Sequence, residues 1–197
     1  MTKPLTMKGE STRRRIIEGA AIEIRENGLA VTTLDDIRAR TGTSKGQLFH
    51  YFPDGKEQLL LAVAQHEADR VLADQQPHLG RLRTWPAWTA WRNAVVDRYR
   101  QQGRSCPLSV LMTELGRSTP AARAITIELI NQWERDIVQG IEWMQKSKAV
   151  SPDIDAARAG KAILAGIQGG VTIMLATGDI AHLEAALDVG LEMLRQP

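Results

Sequence analysis

Between Thr32 and Phe52 the stretch TTLDDIRARTGTSKGQLFHYF holds two short helical patterns that meet at a glycine turn, and few folds accommodate that arrangement. Leu34 and Ile37 give the first pattern an apolar side, Thr41-Gly42-Thr43 interrupts it, and Leu48 with Phe52 gives the second an apolar side four residues apart. Two helices joined by so short a turn, each burying one face, are the physical content of a helix-turn-helix. The second helix would turn Lys45, Gln47, His50 and Tyr51 outward, a set that donates and accepts hydrogen bonds and holds one positive charge. Such side chains suit the base edges of a DNA major groove. Phe49 and Phe52 are expected in packing rather than on bases.

The flanking segments extend this unit. Ser11 or Thr12 is placed to cap a first helix, in which Ile16, Ala20 and Ile24 recur every four residues until Asn27-Gly28 stops it. Arg13, Arg14 and Arg15 would then lie in its first turn, where the helix dipole disfavours cations, so backbone phosphate becomes a candidate partner. The segment MTKPLTMKGESTRRR carries charge without an apolar run, which reads as a flexible arm and not a secretory signal. Thr32 or Thr33 caps the second helix with Asp35 and Asp36 in its first turn, and Thr43 or Ser44 caps the reader, which spans about Ser44 to Tyr51. Pro53-Asp54-Gly55 ends it, and a longer helix from about Gly55 to Gln76 buries Leu59, Leu60, Val63, Ala64 and Val71. Lys56, at the start of that helix, is a second candidate for phosphate.

Charge supports a local rather than a global contact with nucleic acid. Residues 1–52 contain nine Lys or Arg and six Asp or Glu, an excess larger than the whole chain's net +2, so the remainder is slightly acidic. A hydrophobic share of 43% and a charged share of 24% over 197 residues exclude a disordered chain and allow a substantial core. Cys106 is the only cysteine, which rules out an intrachain disulfide and fits a reducing cytoplasm. His50, His66, His78 and His182 are scattered, and HExxH, CxxC, Walker and Rossmann patterns are missing, so neither catalysis nor a metal or cofactor is expected. The longest uncharged stretch, Ala162 to Gly178, is short and polar for a membrane span and reads as a helix buried by protein.

Beyond Pro77 the character of the chain changes. Trp85, Trp88 and Trp91 follow three apart, forming one aromatic stripe with Val95 below it; such stripes usually pack a core, but tryptophan also lines cavities for flat apolar ligands. After the Gly103-Arg104-Ser105-Cys106-Pro107 loop, Leu108, Leu111, Met112 and Leu115 form a short helix ended by Gly116. Ser118-Thr119-Pro120 then starts a long one with Ile125, Leu129, Trp133 and Ile137 on its inner side. Ser151-Pro152-Asp153 starts the next, about Ile154 to Ala176, which is apolar nearly all round and rich in Gly and Ala; Leu183, Leu187, Leu191 and Leu194 mark the last. A helix buried on every side requires a large domain or a second subunit, so these two helices are expected to pair across a two-fold axis. With no sustained period of two, the chain reads as all-α with about nine helices.

The head and body together are similar to the tetracycline-repressor (TetR/AcrR) family of bacterial transcriptional regulators. The likeness rests on Gly28, Asp36-Ile37, Ser44-Lys45-Gly46-Gln47-Leu48-Phe49-His50-Tyr51-Phe52 and Lys56-Glu57-Gln58-Leu59, with Phe49 where tyrosine is common and a Pro53-Asp54-Gly55 link one residue longer than usual. The body resembles a subgroup with a Cys-Pro loop and a Gln-Gly-Gly segment, here Gln168-Gly169-Gly170. The resemblance implies a DNA-binding domain over 1–54 and a ligand-binding and dimerisation domain over 55–197. It implies a DNA surface of Arg13, Thr32, Thr33, Thr43, Ser44, Lys45, Gln47, Leu48, His50, Tyr51 and Lys56. It also implies an effector cavity under the middle helices, at Trp85, Trp88, Trp91, Leu111, Met112, Trp133 and Ile137, and a homodimer face of Ile163, Ile167, Gly170, Val171, Met174, Leu187 and Leu191. The function expected is a repressor that releases a pseudo-palindromic duplex when a small hydrophobic, aromatic effector binds, with no membrane partner. The alternative is a helical small-molecule-binding module that does not bind DNA.

Overall fold

A computed structural model describes residues 6–103 and 106–196. Among them are nine helices and no strand. They are α1 (Met7–Asn27), α2 (Leu34–Thr41), α3 (Lys45–Tyr51), α4 (Lys56–Ala73), α5 (Trp85–Gln102), α6 (107–118), α7 (Pro120–Lys146), α8 (Ala156–Thr177) and α9 (Ala181–Leu194). Helix α6 winds as a π-helix over Leu111–Leu115, between two short α-helical pieces, and so runs past Gly116 to Ser118. Two compact units result: Met1–Arg70 with Pro107–Ile127, and Val71–Cys106 with Glu128–Pro197.

The first unit contains α1 to α3, most of α4, α6 and the start of α7. Helix α1 begins at Met7, earlier than the apolar periodicity suggests, because the Thr6 side chain accepts the Gly9 N–H at 3.2 Å and caps it there. Arg13, Arg14 and Arg15 therefore sit in mid-helix, and the dipole argument for a phosphate partner does not apply to them. The expected arm is helix from Met7 onward; its residues 1–5, like Arg104 and Ser105 of the Cys-Pro loop, lie outside the described residues. Ile16, Ala20, Ile24, Ile37, Leu48, Phe52, Leu59 and Val63 are fully buried, so each short helix is anchored by the side the periodicity assigned. Gly42 turns the chain between α2 and α3 at φ 57° and ψ 35°, a left-handed conformation that glycine adopts without steric penalty. Two polar contacts join elements distant in sequence. Arg25 Nη1 on α1 donates to the fully buried Glu67 of α4 at 2.6 Å, and the Leu29 N–H donates to Glu114 Oε2, on the π-helical stretch of α6, at 2.5 Å.

In the second unit Trp88, Trp91 and Trp133 are fully buried. The indoles of Trp88 and Trp91 meet edge to face at 5.7 Å, and Trp91 Nε1 donates to Gln75 Oε1 at 3.0 Å. Tyr99 is buried beside Cys106; burial first, and then the thiol, push its phenol well above its ordinary pKa. Helix α8 starts at Ala156, not at Ile154, because Asp155 accepts the Arg158 N–H at 3.0 Å as its cap. It runs antiparallel to α9: Gly166 faces Ala186, Gly170 faces Leu183, and Gly190 faces Ile163. Helix α8 is long and apolar enough by composition to cross a bilayer, but Ile163, Ile167, Val171 and Met174 form its buried side in this unit.

Candidate nucleic-acid interface

The reader is built by two reciprocal caps. At α2 the Asp36 N–H donates to Thr33 Oγ1 at 3.2 Å while the Thr33 hydroxyl and N–H donate to Asp36 Oδ2 at 2.6 and 2.8 Å. Those two bonds, the hydroxyl's first, hold the Asp36 carboxyl below the usual carboxylate range. At α3 the Gln47 N–H donates to Ser44 Oγ at 3.2 Å and the Ser44 N–H donates to Gln47 Oε1 at 3.1 Å. Ser44 and Thr33 are thus the caps, one from each pair of candidates, and satisfied ends let so short a helix as α3 persist against the core.

Helix α3 exposes Lys45, Gly46, Gln47 and His50 opposite the buried Leu48. Tyr51 is half-buried, with its ring edge-on to His50 at 4.9 Å. Phe49, expected in packing, is 39% exposed, with its ring edge 3.6 Å from the place a Cβ on Gly55 would occupy. Thr32, Thr43 and Leu48, expected on the DNA surface, point inward. Thr32 Oγ1 donates to Gly28 O at 2.7 Å, Thr43 Oγ1 accepts from the Thr41 hydroxyl at 2.8 Å, and Leu48 is core. As buried side chains they do not form part of an exposed face.

The basic residues separate into engaged and unengaged. Arg13 stacks over the Phe52 ring at 5.4 Å, and Arg15 donates to Thr41 O, so both brace the head internally. Arg38 pairs with Asp35 at 2.5 Å, and Arg40 with Glu23 and Glu26. Lys56 turns back, its Nζ donating to Thr32 O at 2.6 Å, instead of projecting from the start of α4. Lys8, Arg14 and Lys45 are exposed and enter no ion pair among the described residues. Of the three arginines the sequence reading placed Arg13 on the DNA surface; Arg14 stands out only when the partners of Arg13 and Arg15 are known.

The residues expected to bind an effector fall in both units. Trp88, Trp91, Trp133 and Ile137 lie in the core of the second unit, Trp85 is half-buried under Arg195 at 4.8 Å, and Leu111 and Met112 belong to the first unit. Neither pocket described is lined by any of the seven. One is an open groove of about 670 Å³ that includes Arg117 and Arg123, and the other is a cleft of about 30 Å³ beside Trp143. The side-chain Nε1 atoms of Trp88 and Trp133 and Nε2 of Gln168 are nonetheless buried without a hydrogen-bond partner.

The residues expected at the dimer face pack within the chain. Ile163, Ile167, Val171, Met174, Leu187 and Leu191 are all buried, and Gly170 lies against Leu183, so these seven join α8 to α9 within one chain. The exposed side of the pair carries Ala162, Ala165, Gly169 and Ala176 with the larger Ile173 on α8, and Ala185 and Val189 on α9.

Comparison with known proteins agrees with this layout. An uncharacterized HTH-type transcriptional regulator of Mycobacterium tuberculosis is 31% identical over 113 residues, covering 54% of this chain; the match spans 55% of the length of that relative. Another from Lactococcus lactis subsp. lactis is 26% identical over 187 residues and covers 91% of both chains. The crystal structure of a TetR-family transcriptional regulator from Cytophaga hutchinsonii superposes with a TM-score of 0.82 over 98% of this chain and 96% of its own, at 24% identity, which speaks to the fold. Residues 16–63 match the family described as bacterial regulatory proteins, tetR family, and residues 79–189, more than half of the chain, match the tetracyclin repressor-like C-terminal domain; the protein belongs to the TetR family of transcriptional regulators.

Proposed function

We propose that the chain is a dimeric repressor, acting in the cytoplasm, that binds a pseudo-palindromic operator through α3 and releases it when a small apolar effector enters the body. The observation that carries the reading is α3 itself, with one face locked into the core by Leu48 and the other presenting Lys45, Gln47 and His50 to solvent. A single such helix spans a few base pairs, and a two-fold partner doubles the site. The exposed Ala162, Ala165, Gly169 and Ala176 stripe supports the partner, because small side chains let helix backbones approach closely. Thr33, Ser44, Lys45, Gln47, His50 and Tyr51 remain the proposed DNA contacts, joined by Arg14, with the head over 1–54 and the regulatory body over 55–197. Assignment of the body to the Cys-Pro, Gln-Gly-Gly subgroup is part of the proposal and rests on sequence alone.

Anisotropy titrations with duplexes selected from a random pool test the DNA half. Affinity should fall steeply with salt, and Arg14→Ala should weaken every sequence alike by about tenfold and flatten the salt slope by about two for a dimer. No duplex preference at any salt would return the chain to a small-molecule-binding module.

The effector reading is supported by the buried N–H donors of Trp88, Trp133 and Gln168. A buried donor left unsatisfied costs about 1–3 kcal/mol. A flat apolar compound carrying hydrogen-bond acceptors removes that penalty as it binds. Such a compound should quench tryptophan fluorescence and release the operator, and Trp133→Phe, which keeps the ring and removes the donor, should weaken it by about fivefold to tenfold. Quenching without release would contradict the regulatory half of the proposal.

A further inference from the structure

We infer that Gln47 reads the operator with N–H donors only and therefore prefers a base that presents a keto oxygen in the major groove, guanine or thymine, over the adenine that a free glutamine favours. The inference rests on the DNA-binding reading above and adds to it a rule at one base position.

The Ser44 N–H donates to Gln47 Oε1 at 3.1 Å, closing the capping box whose other bond runs from the Gln47 N–H to Ser44 Oγ at 3.2 Å. A backbone N–H can only donate, so the carboxamide oxygen must face Ser44 and the amide orientation is fixed by chemistry. Glutamine pairs with adenine by turning both ends of its carboxamide to one base edge, the oxygen to N6–H and the nitrogen to N7. In α3 the oxygen is already turned back on the helix, and only the NH₂ faces away from the backbone. Two hydrogens then remain for acceptors: guanine offers N7 and O6 and thymine offers O4, whereas adenine offers N7 alone, beside an N6 donor that the amide can no longer satisfy. Cytosine, which offers an N4 donor at that edge, meets donor against donor.

The surroundings favour the same outcome. Gly46, beside Gln47, has nothing within 4 Å of the place a Cβ would occupy, so a base edge can approach α3 without a side chain between them. Lys45, also exposed, is a donor with no acceptor, and its charge repels none of the keto oxygens. Freeing Oε1 for adenine would break one of the two bonds of the capping box on a helix of seven residues and leave the Ser44 N–H without its side-chain partner.

The test is selection of duplexes from a random pool by the full-length protein and by two variants. Gln47→Glu keeps an oxygen for the Ser44 N–H and exchanges the outward donor for an acceptor; Gln47→Lys is donor-only, like the capped amide. The wild type should enrich guanine or thymine at one position of each half-site. Gln47→Lys should keep that preference, and Gln47→Glu should lose it by about tenfold and turn to cytosine there. Adenine in the wild-type selection at the position that responds to Gln47→Glu, or an enriched consensus that neither variant alters, would overturn the donor-only rule while leaving DNA binding intact. Failure of the wild type to enrich any duplex would overturn the function itself, and the rule with it.

Discussion

Arg25→Met should destabilise the first unit by about 3 kcal/mol, which for a protein of this size lowers its melting temperature by about 6–12 °C. Glu67 is fully buried in α4, and its strongest partner is Arg25 Nη1 of α1 at 2.6 Å. Arg70 Nη1 lies farther off at 3.6 Å, His66 Nε2 at 3.9 Å, and Oε2 of the same carboxylate has no hydrogen-bond partner. Removing Arg25 leaves a charge in the core with only the outlying Arg70 and His66 to compensate it, which is why the loss should exceed that of any exposed pair in the molecule. The same reasoning predicts recovery. Once Arg25 is gone, Glu67→Met replaces the stranded carboxylate with a side chain that packs, and the double variant should regain most of the lost stability. Thermal melts followed by operator binding and by tryptophan fluorescence report on the two units separately, since all five tryptophans lie in the second. A single variant within about 1 kcal/mol of wild type, or a double variant less stable than the single, would show that the pair does not hold α1 to α4.

This pair was not legible in the sequence, and the reason separates what could be read from what could not. The features read correctly are local. Thr33 and Ser44 are each one of two neighbouring cap candidates, though the bond that Gln47 returns to Ser44 is not foreseen; Gly42 sits in the turn it makes necessary, and Ile16, Ala20 and Ile24 report the inner face of a helix whatever it packs against. Arg25 and Glu67 are 42 residues apart, and nothing in either segment says that they meet. Lys56 turning back to Thr32 O, and the inward threonines 32 and 43, escape for the same reason: a polar side chain with a partner in another element looks, in sequence, like one with a solvated end. The start of α1 was missed for a different cause. Its first turns bury no apolar side chain, so the apolar period begins at Ile16 although the helix begins at Met7.

The division of labour along α8 makes the second large effect. Periodicity shows that this helix has two apolar sides but not which one belongs to its own chain, and the packing turns Ile163, Ile167, Val171 and Met174 inward and Ala162, Ala165, Gly169 and Ala176 outward. Gly169 and Gly170, adjacent in sequence, fall on opposite sides of that division. A Cβ on Gly170 would lie 2.5 Å from Leu183 Cα and 2.9 Å from its nitrogen, and backbone atoms cannot move aside as a flexible side chain does. Gly170→Ala should therefore force α8 from α9 and destabilise the second unit by about 2–3 kcal/mol, despite alanine's better helix propensity. Gly169 has nothing within 4 Å, so a side chain there meets no part of its own chain. Gly169→Glu should fold with nearly unchanged thermal stability as a monomer, yet place a charge in the middle of the proposed two-fold contact. It should sediment as a monomer at micromolar concentration and lose operator affinity on the order of a hundredfold, because the second head no longer binds at the raised effective concentration the dimer provides. One glycine is fixed by its own chain, and the other is left open for the proposed second copy. If Gly169→Glu sediments as a dimer with undiminished operator affinity, the exposed Ala162, Ala165 and Gly169 stripe is not where the two heads are joined.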